Sequence, residues 1–175
     1  LFLHQLARKT WSFFDTFVGP EDNWLPPDNV QEHPVAVIAH RTSPTNIGLA
    51  LLANLSAYDF GYISAARFIE RTGNTLRTMA GLARYHGHFY NWYDTQSLQP
   101  LYPIYISTVD SGNLASHMVT LRQGLLSIPG NPRPDAIPAL VRRLGCLSEM
   151  DYDFLLDKTS HLLSIGYNVS EKKMD

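Results

Sequence analysis

Thr42–Tyr58 reads TSPTNIGLALLANLSAY. A Thr-Ser hydroxyl cap followed at once by Pro44 marks a helix start, because proline's missing N–H costs nothing in the first turn. From there to Tyr58 the segment holds no charged residue, and Ile47, Leu49, Leu51, Leu52 and Leu55 point all round the helix axis. A helix that is apolar on every side has to be buried on most of them. Asn46, Gly48 and Asn54 interrupt it, and it is too short to span a membrane. It reads as a central helix. A second of the same kind is expected over Gly112–Ser127, capped by Ser111. There Leu114, Ala115, Met118, Val119, Leu121, Leu125 and Leu126 cover most faces, and Arg122 is the one full charge.

The helix that precedes each of these has a different character. Leu1–Val18 is expected to be helical, with Leu3, Leu6, Phe13, Phe14 and Phe17 beside Arg8, Lys9 and Asp15, until Gly19-Pro20 stops it. Ile63–Arg84 is amphipathic: Ala66, Ile69, Gly73, Leu76, Met79, Ala80 and Ala83 form a stripe. Arg67, Glu70, Arg71, Asn74, Arg77 and Arg84 lie largely off that stripe, toward solvent. The order is outer, inner, outer, inner. Antiparallel hairpins that alternate in this way build an α/α toroid whose inner helices run parallel. The two long loops that lead into the inner helices, Glu21–Arg41 and Gly87–Asp110, then converge on one face, and the short Asp59–Gly61 link falls at the opposite end.

The rest of the chain is less regular. PGNPRPDAIP at Pro129–Pro138 reads as a linker. It divides the chain into the first hairpins (residues 1–128), the linker (129–138), and short helices with the start of a further toroid segment (139–175). Helices are expected at Ala139–Leu144 and around Asp151–Asp157, and a strand pair around Gly166 within His161–Val169. Two hairpins and a remnant do not close a ring, so a partial toroid is expected. The charged fraction of 17% is low, which implies that some surfaces face more protein. A net charge of −2 without a basic run excludes nucleic acid as a natural partner. The single Cys146 excludes an internal disulfide framework. His33, His40, His86, His88 and His117 form no metal-binding pattern, and no glycine-rich phosphate loop or nucleophile elbow is present, so neither metal nor cofactor is expected. No signal peptide is expected either.

Chemistry concentrates before the second central helix. Tyr85, Phe89, Tyr90, Trp92, Tyr93, Tyr102 and Tyr105 are interleaved with Asn91, Asp94, Gln96, Gln99 and Asp110. Rings beside carboxylates and amides suit a ligand that is apolar on one face and hydroxylated at its rim, and a sugar fits that description. In Asn91-Trp92-Tyr93-Asp94 an aromatic face would stack on a pyranose while Asp94 accepts from vicinal hydroxyls. The alternative is an aromatic plug, with Asp94 capping a turn to Thr95 and Gln96. His40 and Arg41, at the entry of the first central helix, are ligand candidates, or else Arg41 bridges to Glu32 or Asp28. Glycoside chemistry needs two carboxyl groups. Asp94 and Asp110 are the candidates at hand, although Asp110-Ser111-Gly112-Asn113 also reads as a plain helix start.

Four stretches carry a resemblance: FFDTFVGPEDNWLPPDNVQE (Phe13–Glu32), AHRTSPTNIGLALLANLSAYDFGYIS (Ala39–Ser64), GHFYNWYDTQSLQPLYPIYISTVDSGNLASHM (Gly87–Met118) and LLSIGYNVSE (Leu162–Glu171). Together they resemble the middle region of cyclic β-1,2-glucan synthases, over most of Trp11–Met118 and again over Met150–Glu171. Before Ala39 the chain reads VAVI where the family runs more directly into the motif. Between Gln123 and Met150 the family has a much longer helical stretch.

The resemblance implies an all-α fold: a partial α/α toroid of the six-hairpin glycosidase-like kind, with long aromatic-rich loops and a short C-terminal strand pair. It implies a segment of a bacterial inner-membrane synthase, itself soluble and on the cytoplasmic side, that binds and positions β-1,2-glucan for transglycosylation and ring closure. The partners implied are β-glucan and the remainder of the synthase. Trp24, Asp28, Arg41, Asn46, Asn91, Trp92, Asp94 and Asp110 are then expected to face glucan or support the site, beside His40 and Tyr93 from the residues themselves, with the paired catalytic glutamates lying beyond the SIGYNV segment. A β-glucan hydrolase using Asp94 or Asp110 and a non-catalytic or inactive sugar-binding fragment are the rival readings.

Overall fold

The computed structural model describes residues 2–129 and 135–175. In chain order the elements are α1 (Phe2–Phe17), β1 (Val30–Gln31), β2 (Val37–Ile38), β3 (Arg41–Thr42), α2 (Pro44–Asp59), α3 (Ala65–Gly81), β4 (Arg84–Tyr85), β5 (His88–Phe89), β6 (Tyr93–Asp94), β7 (Tyr105–Ser107), α4 (Thr108–Leu126), α5 (Ala136–Ser148), β8 (Leu156–Asp157), β9 (Leu162–Leu163), β10 (Gly166–Asn168) and β11 (Lys173–Met174). The chain is mostly helical. The all-α expectation needs one amendment, because the segments between helices pair into small antiparallel sheets: β1 with β2, β3 with β6, β4 with β5, β8 with β9, and β7–β10–β11.

Helix starts follow side-chain oxygens. Ser43 Oγ accepts from Asn46 N at 3.2 Å, with Pro44 in the first turn, and Ser64 Oγ accepts from Arg67 N at 3.3 Å. The fourth helix departs from expectation. Its cap is Ser107, whose Oγ accepts from Asp110 N at 3.1 Å, and the Ser111 hydroxyl lies 2.9 Å from the Ser107 carbonyl. The helix therefore begins a turn early, and Asp110 sits inside its first turn, where the N-terminal dipole favours a carboxylate.

The two inner helices, α2 and α4, pack directly along each other. Gly48 lies against His117, and Gly124 against Leu55, where an added Cβ would stand 2.6 Å from the leucine methyls. Both contacts advance by seven residues on each helix, so the helices run parallel and start side by side. Ile47, Leu51, Leu114, Met118, Leu121 and Leu125 are fully enclosed in the shared core, each such side chain contributing about 1.5–3 kcal/mol. The far side of this pair is open among the described residues: Leu49, Val109, Val119 and Leu126 are exposed. Helix α2 is covered on most sides, with Leu49, Ser56 and Asp59 its exposed residues, whereas α4 is buried on one side only.

Outside them, α1 and α3 pack on α2, and α5 packs on both α3 and α4 through Ile137, Leu140, Leu144 and Leu147. Of the linker expected at 129–138, residues 130–134 lie outside the described residues, and 136–138 already form the first turn of α5. Instead of a helix, 151–157 holds a 3₁₀ turn at Asp153–Leu155. The strand pair expected around Gly166 is also rearranged. Thr108 N donates to the Ile165 carbonyl at 3.1 Å, which draws β10 across to β7, while β9 turns back to β8.

Arg71 is the largest departure from the helical pattern. Expected toward solvent, it is 1% exposed. From α3 its Nε donates to Asn54 Oδ1 of α2 at 3.1 Å and its Nη2 to the Phe14 carbonyl of α1 at 2.7 Å, with the Trp11 ring 5.1 Å away. One guanidinium thereby ties three helices, and its several donors in one plane are what let it reach both acceptors.

Arg71→Met roughly keeps the volume but leaves the buried Asn54 Oδ1 unpaired, while the Phe14 carbonyl keeps its bond from Val18 N, so it should destabilise the chain by about 1–3 kcal/mol. The check is a lowered urea midpoint at unchanged slope. Gly48→Ala should also destabilise, despite the roughly 1 kcal/mol that alanine gains in a helix. His117→Ala in the same chain should restore part of that loss; strictly additive effects would show that the imidazole does not limit the helix approach.

Candidate functional site

The long loops before α2 and α4 meet through backbone pairing. β3 lies antiparallel to β6, with Arg41 opposite Asp94 and Thr42 opposite Tyr93, and Thr95 N donates to the His40 carbonyl at 3.0 Å. Side chains reinforce the seam. The buried Asp22 holds His40 Nδ1 at 2.7 Å and accepts from the Thr95 hydroxyl, while Asn23 Nδ2 donates to the carbonyls of Thr95 and Gln96 at 2.8 and 3.0 Å. His40 thus ties the loops together.

Next to this seam, at the paired starts of α2 and α4, lies a continuous polar and aromatic surface. Asp28 Oδ2 accepts from Arg41 Nε and Nη2 at 3.2 and 3.0 Å, and its Oδ1 accepts from Asn46 Nδ2 at 3.3 Å. The Arg41 guanidinium stands over the Trp92 ring, 4.8 Å from its centroid. The Trp92 Nε1–H donates to Asn91 Oδ1 at 3.2 Å, and Asn91 Nδ2 donates to Asp110 Oδ2 at 3.2 Å. That orientation of the amide is dictated by its neighbours, since an indole N–H only donates and a carboxylate only accepts. Asp110 Oδ1 accepts from Thr45 Oγ1 at 2.6 Å, and Thr45 in turn accepts from Asn113 Nδ2 at 3.2 Å.

Of the residues singled out in the sequence, Asp28, Arg41, Asn46, Asn91, Trp92 and Asp110 meet here. Thr45 and Asn113 belong with them and were missed, although Thr45 stands within the helix-start motif. Four candidates sit elsewhere: His40 in the seam already described, and Tyr93, Trp24 and Asp94. Tyr93 is 0% exposed; its hydroxyl donates to the Ala83 carbonyl at 2.6 Å and accepts from Tyr90 N at 2.8 Å, so it is a core residue and burial pushes its phenol pKa up. Trp24 packs on the outer helix α3, its ring 5.9 Å from the guanidinium carbons of Arg67 and Arg71 and its carbonyl bonded to Thr75. Asp94 spends Oδ1 on Gln96 N, Ser97 N and Ser97 Oγ, the turn-capping alternative. The bond from Ser97 N is the main reason its carboxyl sits below the usual range. That is the wrong direction for a general acid.

Beneath the site, His88 buttresses the start of α4. Its Nε2 lies 2.6 Å from the Asp151 carbonyl, which can only accept and so sets the proton on Nε2. Nδ1 is then the acceptor toward Ser111 Oγ at 2.8 Å. Phe154 and Tyr152 meet its ring edge-on, and Tyr85 and Tyr167 pack on Phe154 to complete an aromatic plug. Burial pulls the imidazole below its usual 6.5.

The fold is shared with glucoamylase-like α/α toroids and β-1,2-glucanases. A glucoamylase-like protein of Bacteroides fragilis NCTC 9343 superposes with a TM-score of 0.79 over 95% of this chain and 40% of its own length, at 16% identity. An endo-β-1,2-glucanase from Chitinophaga pinensis, solved with sophorotriose and glucose, gives 0.71 over 95% and 40% at 15% identity. A β-1,2-glucanase from Parabacteroides distasonis gives 0.68 over 86% and 21% at 12% identity. At such identities the likeness is one of fold. The sequence is more particular: over 119 residues, 68% of the chain, it is 49% identical to the cyclic β-(1,2)-glucan synthase NdvB of Rhizobium meliloti (strain 1021). The chain is homologous to a segment of that synthase, and the match spans 4% of the synthase's length. No protein-family model matches the chain. Among the described residues no helix is long and apolar enough to cross a membrane.

His88 makes stability pH-dependent with a definite sign. Below pH 6.5 the unfolded chain takes up a proton that the folded chain refuses, so stability should fall as the pH drops from 7 toward 5.5. Asp94 acts in a lower window: its stabilisation is present above its unfolded value of 3.8 and is lost as the pH falls through its depressed folded value. Urea midpoints between pH 7 and 5.5 therefore report His88 together with His117, whose pKa burial also lowers, and His88→Gln should remove the His88 share and make that slope shallower.

Proposed function

We propose that this chain forms part of the glucan-binding wall of a carbohydrate-active toroid, and that it binds and positions β-1,2-glucan for transglycosylation and ring closure by a cyclic β-1,2-glucan synthase. The observation that carries this reading is the Asp28–Arg41–Trp92–Asn91–Asp110 surface at the joined starts of α2 and α4, on a chain homologous to a segment of such a synthase. An indole face suits the C–H face of a pyranose, and guanidinium and amide groups suit its vicinal hydroxyls. Holding a flexible glucan so that chain end and acceptor meet is a large part of what such a reaction requires. Residues outside this chain supply the acid and base.

That division of labour rests on the carboxylates. Asp94 is locked in its own turn and held ionised, and both oxygens of Asp110 are already engaged. Neither is placed to give a proton to a leaving group.

Titration of the chain with linear β-1,2-glucan, followed by tryptophan fluorescence or calorimetry, should show saturable binding. Trp92→Ala should weaken it at least tenfold, on the order of 1.4 kcal/mol. No binding at millimolar glucan would remove the reading. Release of reducing ends that depends on Asp94 would instead make the chain a hydrolase and place the chemistry within it.

A further inference from the structure

We propose that Asp110 is a positioning residue which sets the plane of the Trp92 indole through the Asn91 amide, and that it is not itself a sugar ligand. The proposal rests on the reading of Trp92 as the glucan platform and specifies how that platform is held.

The carboxylate is secured from both inner helices. Its Oδ1 takes the Thr45 hydroxyl of α2 at 2.6 Å, and Thr45 is fixed in turn by Asn113 of α4 at 3.2 Å. Its own backbone N–H is bound by Ser107 Oγ at 3.1 Å, in the first turn of α4 where the helix dipole favours negative charge. Oδ2 is left for one task, and Asn91 Nδ2 fills it at 3.2 Å.

Asn91 is the chemically necessary link. An indole N–H can only donate and a carboxylate can only accept, so whatever joins them must accept on one side and donate on the other. A side-chain amide does both. The Asn91 backbone is itself pinned, its N–H donating to the Tyr105 carbonyl at 2.8 Å, so the amide has little freedom to swing away. Arg41, braced on Asp28, then covers the ring at 4.8 Å from its centroid. The indole is thereby held at its edge by Asp110 through Asn91 and on its face by Arg41. A side chain ordered before the ligand arrives loses less freedom on binding, an effect of about two- to tenfold in affinity.

The charged groups around this relay are Asp28, Arg41 and Asp110, and Asn91→Asp adds one more at almost unchanged shape. When protonated, the new carboxyl can donate to Asp110 and accept from Trp92, preserving the relay. When ionised, it faces Asp110 as a like charge, which raises the pKa of the pair and breaks the link.

The test combines glucan titrations with the Trp92 indole ¹H–¹⁵N resonance, assigned by its loss in Trp92→Phe. In Asn91→Asp, glucan affinity should stay within about threefold of the unsubstituted chain at pH 5 and fall at least tenfold by pH 8. The indole resonance should move over the same transition, which the unsubstituted chain lacks. Asp110→Ala should weaken binding in the parent chain yet add nothing in a Trp92→Ala background, because it acts through the indole. Additive losses in that cycle would make Asp110 a direct sugar ligand and overturn the proposal, as would an indole resonance in Asn91→Asp that ignores pH. If the unsubstituted chain binds no glucan, the functional reading fails while the indole resonance still decides the relay.

Discussion

The close parallel contact of α2 with α4 is the constraint from which the rest of the arrangement follows. Gly48 and Gly124 remove the side chains that would hold the helices apart, and His117 and Leu55 fill the space given up. Because the two helices run the same way, their first turns lie together. Thr45 and Asn46 of one then face Asp110 and Asn113 of the other, close enough for Thr45 to bond both members of the second pair. A site built at one helix start would have a single capping residue to work with; two starts side by side provide a polar floor.

The outer helices and loops work to keep that floor in place. Arg71 binds α3 to α1 and α2 with one buried guanidinium, and α5 closes over α3 and α4 with an apolar face. At the other level, the Asp22–His40–Thr95 contacts and the β3–β6 pairing join loops that are distant in sequence. Trp92 and Arg41 are delivered to the site by these loops, not by the helices, so their position depends on the seam. Polar residues that looked like ligand candidates, His40 and Asp94 among them, turn out to bear that structural duty.

The aromatic run from Tyr85 to Tyr105 shows how the same composition can serve two ends. Phe89 and Tyr93 are core, Tyr85 joins Phe154 and Tyr167 in a plug over His88, and Trp92 alone is framed by Arg41 and the Asn91 amide. Tyr102 is left 84% exposed. Nothing in the order of rings and amides distinguishes these fates, because each depends on which element lies behind the strand. His88 makes the point for polar residues: its partners are Ser111, in α4, and the Asp151 carbonyl, far along the chain.

By itself the sequence determined the first four helices, their alternation between inner and outer places, the convergence of the Glu21–Arg41 and Gly87–Asp110 loops, and the kinship with a glucan synthase segment. These depend on local caps, on the period of apolar residues and on long matching motifs, all of which are written along the chain. Only the tertiary structure decided that Arg71 is buried, that β10 joins β7, and that Asp110 is bonded to Thr45 and Asn91. The physical reason is common to all three. Burial of a charge, the pairing of a short strand and the use of a carboxylate's oxygens are settled by partners from other elements, and a chain read in order does not show which partners those will be.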